Sequence, residues 1–157
     1  MDMNLVLHHA FLKALEEMNK FYDPQEKMIQ REFSTRGYHT TLKGGYVHPT
    51  RESLDYAVAL MDSRDSTKEE RAFGIIERIL ELQDTDENSK TYGIWSYYLE
   101  EPLRMMSPPD WNWADFNGKN LLYLLLDHSE RLPAEVKDRV IQGLKHAAYS
   151  IRRRNVG

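Results

Sequence analysis

The chain has no cysteine among its 157 residues. It can therefore form no disulfide, thiolate nucleophile, iron–sulfur cluster or cysteine-ligated zinc site. The absence fits a reducing compartment, and we predict a cytoplasmic protein. The opening stretch MDMNLVLHHAF lacks the basic residues of a signal peptide, and two histidines interrupt its apolar part.

Long apolar runs and an excess of positive charge are also missing. No run approaches the about 18 apolar residues of a membrane span. The net charge of −4 argues against nucleic-acid binding. The basic run Arg152-Arg153-Arg154 falls in the last turn of a predicted helix, where cations meet the negative end of the helix dipole. No spacing typical of metal ligands is present, so we expect no metal, cofactor, membrane or nucleic acid.

What the sequence does contain is helical periodicity, which predicts an all-α fold of antiparallel hairpins in a single domain, residues 1–157. Five helices are expected: Leu5 to Tyr22, Arg51 to Ser63 after a Thr50 cap, a helix opened by the capping box Thr67-Lys-Glu-Glu70, a helix carrying LLYLLL, and Ala134 to Arg153. No segment shows the alternation of a strand. The periodicity predicts that Leu54, Val58, Phe73, Ile76, Leu80, Leu121, Leu125, Val140, Leu144 and Ile151 are buried.

An internal repeat links the helices. A shift of about 68 residues places Ala72, Phe73, Ile76, Ile79 and Leu80 on Val140, Ile141, Leu144, Ala147 and Ala148. A shift of about 67 residues does the same for Leu54, Ala57 and Val58 with Leu121, Leu124 and Leu125. The predicted unit is a short helix, a tight connection, a longer helix and a long loop.

The two long loops, 23 to 50 and 84 to 116, are each about thirty residues, whereas helix connections usually take about two to eight. They are rich in aromatic residues, which disordered segments lack. These residues are Tyr38, Tyr46, Tyr92, Trp95, Tyr97, Tyr98, Trp111 and Trp113. We therefore expect functional loops, with a short helix from Thr91 to about Glu101 and with Glu100 and Glu101 as surface charges.

The hairpins, together with the stretches LELQDTDENSKTYGIWSYYLEEPL, PPDWNWADFNGKNLL and SIRRRNVG, resemble a bacterial group of the six-hairpin glycosidase-like (α/α) toroids. The resemblance covers about residues 50 to 157. It implies about half of a toroid, hence the N-terminal part of a longer protein or a chain that self-associates. It supplies no catalytic residue.

Trp111 and Trp113, beside Asp110, are candidate sugar-binding residues because indole faces stack on pyranose rings and carboxylates bind hydroxyls. If the segment is extended after Pro108-Pro109, both rings face one cleft, and Asp115 or Asn117 starts the next helix. The alternative is that the tryptophans fill space between hairpins. Further candidates for substrate binding are Trp95, Tyr92 and Tyr98.

Candidate catalytic groups are carboxylates and histidines of the loops. Asp84, Asp86, Asp110 and Asp115 are candidates for the acid or base of a glycosidase, which needs two carboxyls about 5 to 10 Å apart. For a lyase, His39 or His48 would pair with Tyr38 or Tyr46. The alternative assigns these residues to turns, caps and solvated loops.

Two functions remain open from the sequence. One is a carbohydrate-active protein, glycoside hydrolase-like or polysaccharide lyase-like, that binds an oligosaccharide or polysaccharide between aromatic loops. The other is a non-catalytic helical-hairpin module that binds a glycan or a protein. A pair of convergent carboxylates, or a His–Tyr pair, in the cleft would favour the first.

Overall fold

A computed structural model describes residues 1–34 and 39–156. Over these residues the chain is mostly helical, as predicted. Its elements are α1 (Met3–Asn19), β1 (Tyr22–Asp23), β2 (Met28–Ile29), β3 (Arg31–Glu32), β4 (Tyr46–Val47), α2 (Thr50–Asp62), α3 (Glu69–Glu81), α4 (Asn112–His128) and α5 (Ala134–Val156). Two short 3-10 helices, Ser66–Lys68 and Leu103–Met105, lie between them.

The helices after α1 form two hairpins that lie side by side. α2 pairs with α3 and α4 pairs with α5, while α2 also contacts α4 and α3 contacts α5. Apolar residues at helical spacing fill the space between them, including Leu54, Ala57, Ile75, Ile76, Ile79, Leu121, Leu124, Val136, Val140 and Ala147. Burying one Leu or Ile contributes about 1.5–3 kcal/mol. Packing of these faces therefore dominates the stability of the hairpin pair.

The residues predicted to be buried do lie at the helix contacts. Leu54, Ile76, Leu121 and Val140 are fully buried and Leu80 is nearly so, whereas Val58, Phe73, Leu125, Leu144 and Ile151 are half-buried and pack against the core. The repeat is less regular than predicted. α2 and α3 have 13 residues each, so the second helix of the first hairpin is not longer than the first helix, although the repeat predicted that it would be. Ala148 is exposed although its counterpart Leu80 is buried.

Arg131 ties the two hairpins together at one end. Its guanidinium donates to Glu69 Oε1 at 2.6 Å and to the Met61 carbonyl at 2.8 Å. His128 Nε2 lies 2.7 Å from Asp62 Oδ1. These contacts join residues about 60 to 70 positions apart in sequence, so they act only once the hairpins have docked.

Two predicted helix starts were wrong in detail. Asp65, not Thr67, caps the third helical segment, because its Oδ1 accepts from the backbone N and the hydroxyl of Thr67. Thr50 is the first residue of α2, and its hydroxyl donates to the Ser96 carbonyl at 2.7 Å. A hydrogen bond to the second long loop has replaced the predicted cap.

The loops contain structure that helical periodicity did not predict. β1 pairs with β2 and β3 pairs with β4, both antiparallel. The predicted short helix from Thr91 to Glu101 is absent from this described stretch, which forms turns and a single bridge between Pro49 and Tyr98. Tyr22, the predicted end of the first helix, lies in β1.

Within the described ranges, no helix is both long and apolar enough to cross a bilayer.

Candidate functional site

A cleft of about 720 Å³ opens in the second long loop. One part of its wall is the turn that runs from Asp84 to Thr91, and another is the segment from Leu99 to Met106. Trp111, at the start of α4, completes it. The cleft therefore lies on the predicted aromatic loop, but a single tryptophan contributes to it.

The Asp84 turn is held by its own side chains. Asp84 Oδ2 accepts hydrogen bonds from the hydroxyls of Ser89 and Thr91, each at 2.6 Å, and Oδ1 accepts from the backbone N of Asp86 at 3.0 Å. Burial raises the pKa of the Asp84 carboxyl, but these hydrogen bonds outweigh it and bring the pKa below 3.8. Asp84 therefore stays ionised and shapes the wall, and it is a poor general acid.

Gly93 docks this turn against α5. Its backbone N donates to the Asp84 carbonyl at 2.7 Å, and its φ is +87°. A Cβ at this position would lie 2.9 Å from the Cβ of Ser150 and closer still to the carbonyl of His146. Only glycine fits this approach without displacing the backbone.

Trp111 stands at the edge of the cleft, half-buried, and its indole N donates to the Lys90 carbonyl at 3.3 Å. Arg153 Nη2 donates to the same carbonyl at 2.9 Å. The indole and the backbone of Lys90 are thus fixed relative to each other.

The prediction that Trp111 and Trp113 share one face was wrong. α4 begins at Asn112, earlier than the predicted start at Asp115 or Asn117, and Trp111 just before it already has helical backbone angles. The side chains of Trp111 and Trp113 therefore point about 160° apart. Trp113 packs against Tyr97, with ring centroids 4.0 Å apart and ring planes tilted by 40°. Its role is the predicted alternative, a packing residue between the loop and the hairpins.

Trp113 also contacts Phe116 in an edge-on arrangement with ring centroids 5.5 Å apart, and the Arg51 guanidinium lies 3.6 Å from the Phe116 centroid. The Trp113 indole N is buried and has no hydrogen-bond partner among the described residues. Trp113 does not line the cleft.

Asp110, Tyr97 and His39 form a small cluster beside Trp113. The Tyr97 hydroxyl donates to Asp110 Oδ2 at 2.5 Å, and Asp110 Oδ1 accepts from the backbone N of Asn112. His39 Nδ1 lies 2.6 Å from the Pro108 carbonyl, and its ring lies edge-on to Tyr97 at 6.1 Å. Burial, followed by the hydrogen bond to Asp110, raises the pKa of Tyr97 well above its usual value of 10.0. The phenol therefore keeps its proton at neutral pH.

Trp95 and Tyr92 are not ligand-facing, which corrects their predicted role. Trp95 is 0% exposed and donates its indole N–H to the Ile79 carbonyl at 2.8 Å. Tyr92 is buried, and its hydroxyl lies 2.5 Å from His146 Nδ1. Both rings belong to the core because the second loop folds back over α3 and α5.

Tyr98, Asp86 and Asp115 also lie away from the cleft wall. Tyr98 is half-buried, with its ring edge-on to Phe33 at 5.8 Å. Asp86 accepts from the backbone N of Asn88 in an exposed turn. Asp115 pairs with Arg154 at 2.6 Å on the surface of α4 and α5. Asp86 therefore has the turn role that the alternative interpretation assigned to it, whereas Asp115 forms an ion pair instead of the predicted helix cap.

His48 is a buried link between three segments. Its Nδ1 lies 2.7 Å from Glu100 Oε2 and its Nε2 lies 2.9 Å from Asp23 Oδ2. Burial lowers the pKa of His48, but the hydrogen bonds to Glu100 and Asp23 outweigh it and raise the pKa above 6.5. The charged imidazolium is thus favoured. With both nitrogens occupied, His48 is placed as a structural clamp rather than as a base.

Tyr46, one predicted partner of a catalytic histidine, is exposed on β4. Tyr38, the other, lies outside the described residues.

Glu101 is a buried acid that sequence reasoning assigned to the surface. It is 0% exposed, and its Oε2 accepts from the backbone N of Thr41 at 2.7 Å and from the Thr41 hydroxyl at 2.5 Å. Glu100 and Glu101 therefore both fasten the first long loop to the second. The pairing Glu-Glu before Pro102 gave no sign of this, because the partners are about 50 to 60 residues away.

Sequence reasoning also missed the basic residues of the cleft, Lys90 and Arg104. Neither side chain forms an ion pair within the part of the chain that the structure describes. The sequence feature that could have pointed to Lys90 is the stretch Ser89-Lys90-Thr91. In the structure the hydroxyls of both neighbours donate to Asp84, so Lys90 lies between two anchored residues of the turn.

The same described ranges hold no group of three or more His, Asp or Glu side chains close enough to bind a metal.

Comparisons with known proteins give a family and no relatives of known activity. No curated protein and no solved structure matches the chain. A family model matches residues 8–157. The chain therefore belongs to the family described as Domain of unknown function (DUF8769).

Proposed function

We propose that the protein binds a saccharide in the cleft beside Trp111. The observation that carries this proposal is the cleft of about 720 Å³ with an indole fixed at its edge and hydroxyl-bearing side chains on its wall. That volume lies within the range of about 300 to 1,000 Å³ typical of small-molecule sites. An indole face offers a stacking surface to a sugar ring. Gln83 and Ser96 also lie on this wall, but their side chains donate to backbone carbonyls of the protein, so they shape the cleft.

Binding is favoured over catalysis because the acids are engaged. Asp84 is the one acidic residue of the described chain on the cleft wall, and both of its oxygens accept hydrogen bonds. A glycosidase needs two carboxyls on either side of the scissile bond. The cleft thus supplies recognition groups without the acid pair.

A lyase-like activity is the second candidate, and the cluster of His39, Tyr97 and Asp110 favours it. A protonated phenol beside an imidazole has the composition of an acid and base pair. The test is turnover: incubation with acidic polysaccharides would release unsaturated products that absorb in the ultraviolet, and Tyr97→Phe would abolish the release. An unchanged spectrum with the intact protein would eliminate this candidate.

We also propose the toroid architecture and self-association. The side-by-side hairpins and their offset of about 67 residues support this proposal. Asp55 of α2 accepts a hydrogen bond from Asn120 of α4, so it faces the next hairpin. The offset places Leu122 of α4 at the position that corresponds to Asp55. Leu122 and Leu126 are 41% and 69% exposed on α4. We propose that a hairpin of a second copy packs against this exposed face of α4, in the way that α4 packs against α2.

The binding proposal is tested by an oligosaccharide array followed by calorimetric titration. Trp111→Leu keeps an apolar side chain and removes the stacking face, so it should weaken binding about fivefold, equivalent to about 1 kcal/mol. Tyr46→Ala is the control, because this exposed aromatic side chain lies outside the cleft wall. Equal affinity of Trp111→Leu and the unmodified chain, or no binding to any oligosaccharide, would refute the proposal.

A further inference from the structure

We propose that the ligand of the cleft is an anionic saccharide, recognised by Lys90 and Arg104. This inference rests on the proposed saccharide binding and adds the chemical class of the ligand. Its basis is the charge on the cleft wall, where two cations face a single acid on a chain whose net charge is −4. The side chains that line the cleft therefore include more cations than anions, on a protein with a net negative charge.

The acid on the cleft wall and Asp110 beside it both accept hydrogen bonds from other groups. Asp84 accepts three hydrogen bonds within its own turn. Asp110, next to the cleft residue Pro109, accepts from the Tyr97 hydroxyl and the backbone N of Asn112. Neither carboxylate forms an ion pair with Lys90 or Arg104. Both cations thus remain available to a ligand.

Lys90 is also held in place for this role. The hydroxyls of its neighbours Ser89 and Thr91 are bonded to Asp84, and its carbonyl accepts from Trp111 Nε1 and from Arg153 Nη2. A backbone fixed on both sides reduces the ordering cost when the ammonium meets an anion. The Trp111 indole that holds the Lys90 carbonyl also lines the cleft, so the stacking surface and the cation lie next to each other.

Arg104 comes from a different segment. It lies in the 3-10 helix Leu103–Met105, which follows Pro102 and precedes the buried Met106. Its guanidinium can bind a carboxylate or a sulfate through two parallel hydrogen bonds. Two cations on separate segments offer two contacts to a saccharide that carries more than one negative charge, and a neutral sugar would leave both unpaired.

The test compares matched ligands by calorimetric titration: a short oligogalacturonate, its methyl ester, and a sulfated neutral oligosaccharide of equal length. We expect the oligogalacturonate to bind and the methyl ester, which lacks the charge, to bind at least about tenfold more weakly. Rising salt should weaken binding, since exposed charges are screened. Binding of the sulfated compound alone would also support an anionic ligand and assign its charge to sulfate esters.

Lys90→Gln and Arg104→Gln are the test variants, each expected to lose up to about fivefold in affinity, the upper end of the range for an exposed charge pair. Lys13→Gln, on the exposed surface of α1, is the matched control and should bind unchanged. If the methyl ester binds as tightly as the acid and Lys90→Gln has no effect, the anionic assignment is overturned while saccharide binding stands. If none of the three compounds binds but a neutral oligosaccharide of the array does, the anionic assignment is overturned and saccharide binding stands; if no oligosaccharide of the array binds either, the proposed function fails as well.

Discussion

Replacement of Gly93 by alanine is expected to destabilise the protein more than the same exchange at Gly44 or Gly45. Gly93 has a φ of +87°, a conformation that costs an L-residue about 1–2 kcal/mol. The added methyl would also lie 2.9 Å from the Ser150 Cβ and closer still to the His146 carbonyl, and overpacking of this kind costs about 1–3 kcal/mol. The sum is a loss of about 2–5 kcal/mol.

The measurement is urea denaturation followed by far-ultraviolet circular dichroism. Gly44→Ala is the matched control, because an added Cβ there meets nothing within 4 Å, and we expect a change below about 0.5 kcal/mol. Gly93→Ala should also weaken ligand binding, since Gly93 donates to the carbonyl of Asp84 in the cleft wall. Equal stability of the two variants would refute the close docking of the second loop on α5.

Three further predictions concern separate parts of the molecule. His48 has a raised pKa in the folded state, so its contribution to stability is complete below pH 6.5 and is lost as the pH rises through the folded-state pKa. In denaturation curves the stability difference between the unmodified chain and His48→Gln should therefore shrink over that pH range. A difference that stays constant with pH would contradict the role of His48 as a clamp. Trp95→Phe removes the indole hydrogen bond to the Ile79 carbonyl, which keeps its bond from the backbone N of Leu82, and leaves unfilled space in the core. The change should cost about 1–3 kcal/mol in the same assay, whereas Tyr46→Phe on the surface should cost almost nothing. Equal effects of the two changes would place Trp95 outside the core. Leu126→Glu should reduce self-association in sedimentation experiments, whereas Leu7→Glu, on the exposed part of α1, should not; a monomeric unmodified chain would rule out the proposed contact.

The helices were predictable because their burial follows a local period. Leu54, Ile76 and Val140 lie on apolar stripes that the sequence displays directly, and all three are fully buried. The start of α4 was not predictable in the same way. The helix includes Asn112 and Trp113, whose side chains contact Arg154 and Tyr97 from distant segments, and a local pattern does not contain those partners.

The candidate site was predicted only as a region. The second loop and Trp111 do form a cleft, but Trp95 and Tyr92 turned inward because their polar atoms find partners on α3 and α5. His48 was a candidate base, yet its two carboxylate partners lie 25 and 52 residues away in sequence. Chain folding, rather than sequence spacing, decides which of these groups reach a ligand.

The most direct test of the saccharide site is a titration that monitors the indole N–H signals of the three tryptophans by nuclear magnetic resonance. The ligand is the oligosaccharide that binds most tightly in the array. We expect the Trp111 signal to shift in a saturable manner, and the signal of the fully buried Trp95 to stay unchanged. Saturable binding that leaves the Trp111 signal in place would contradict the assignment of the cleft as the binding site.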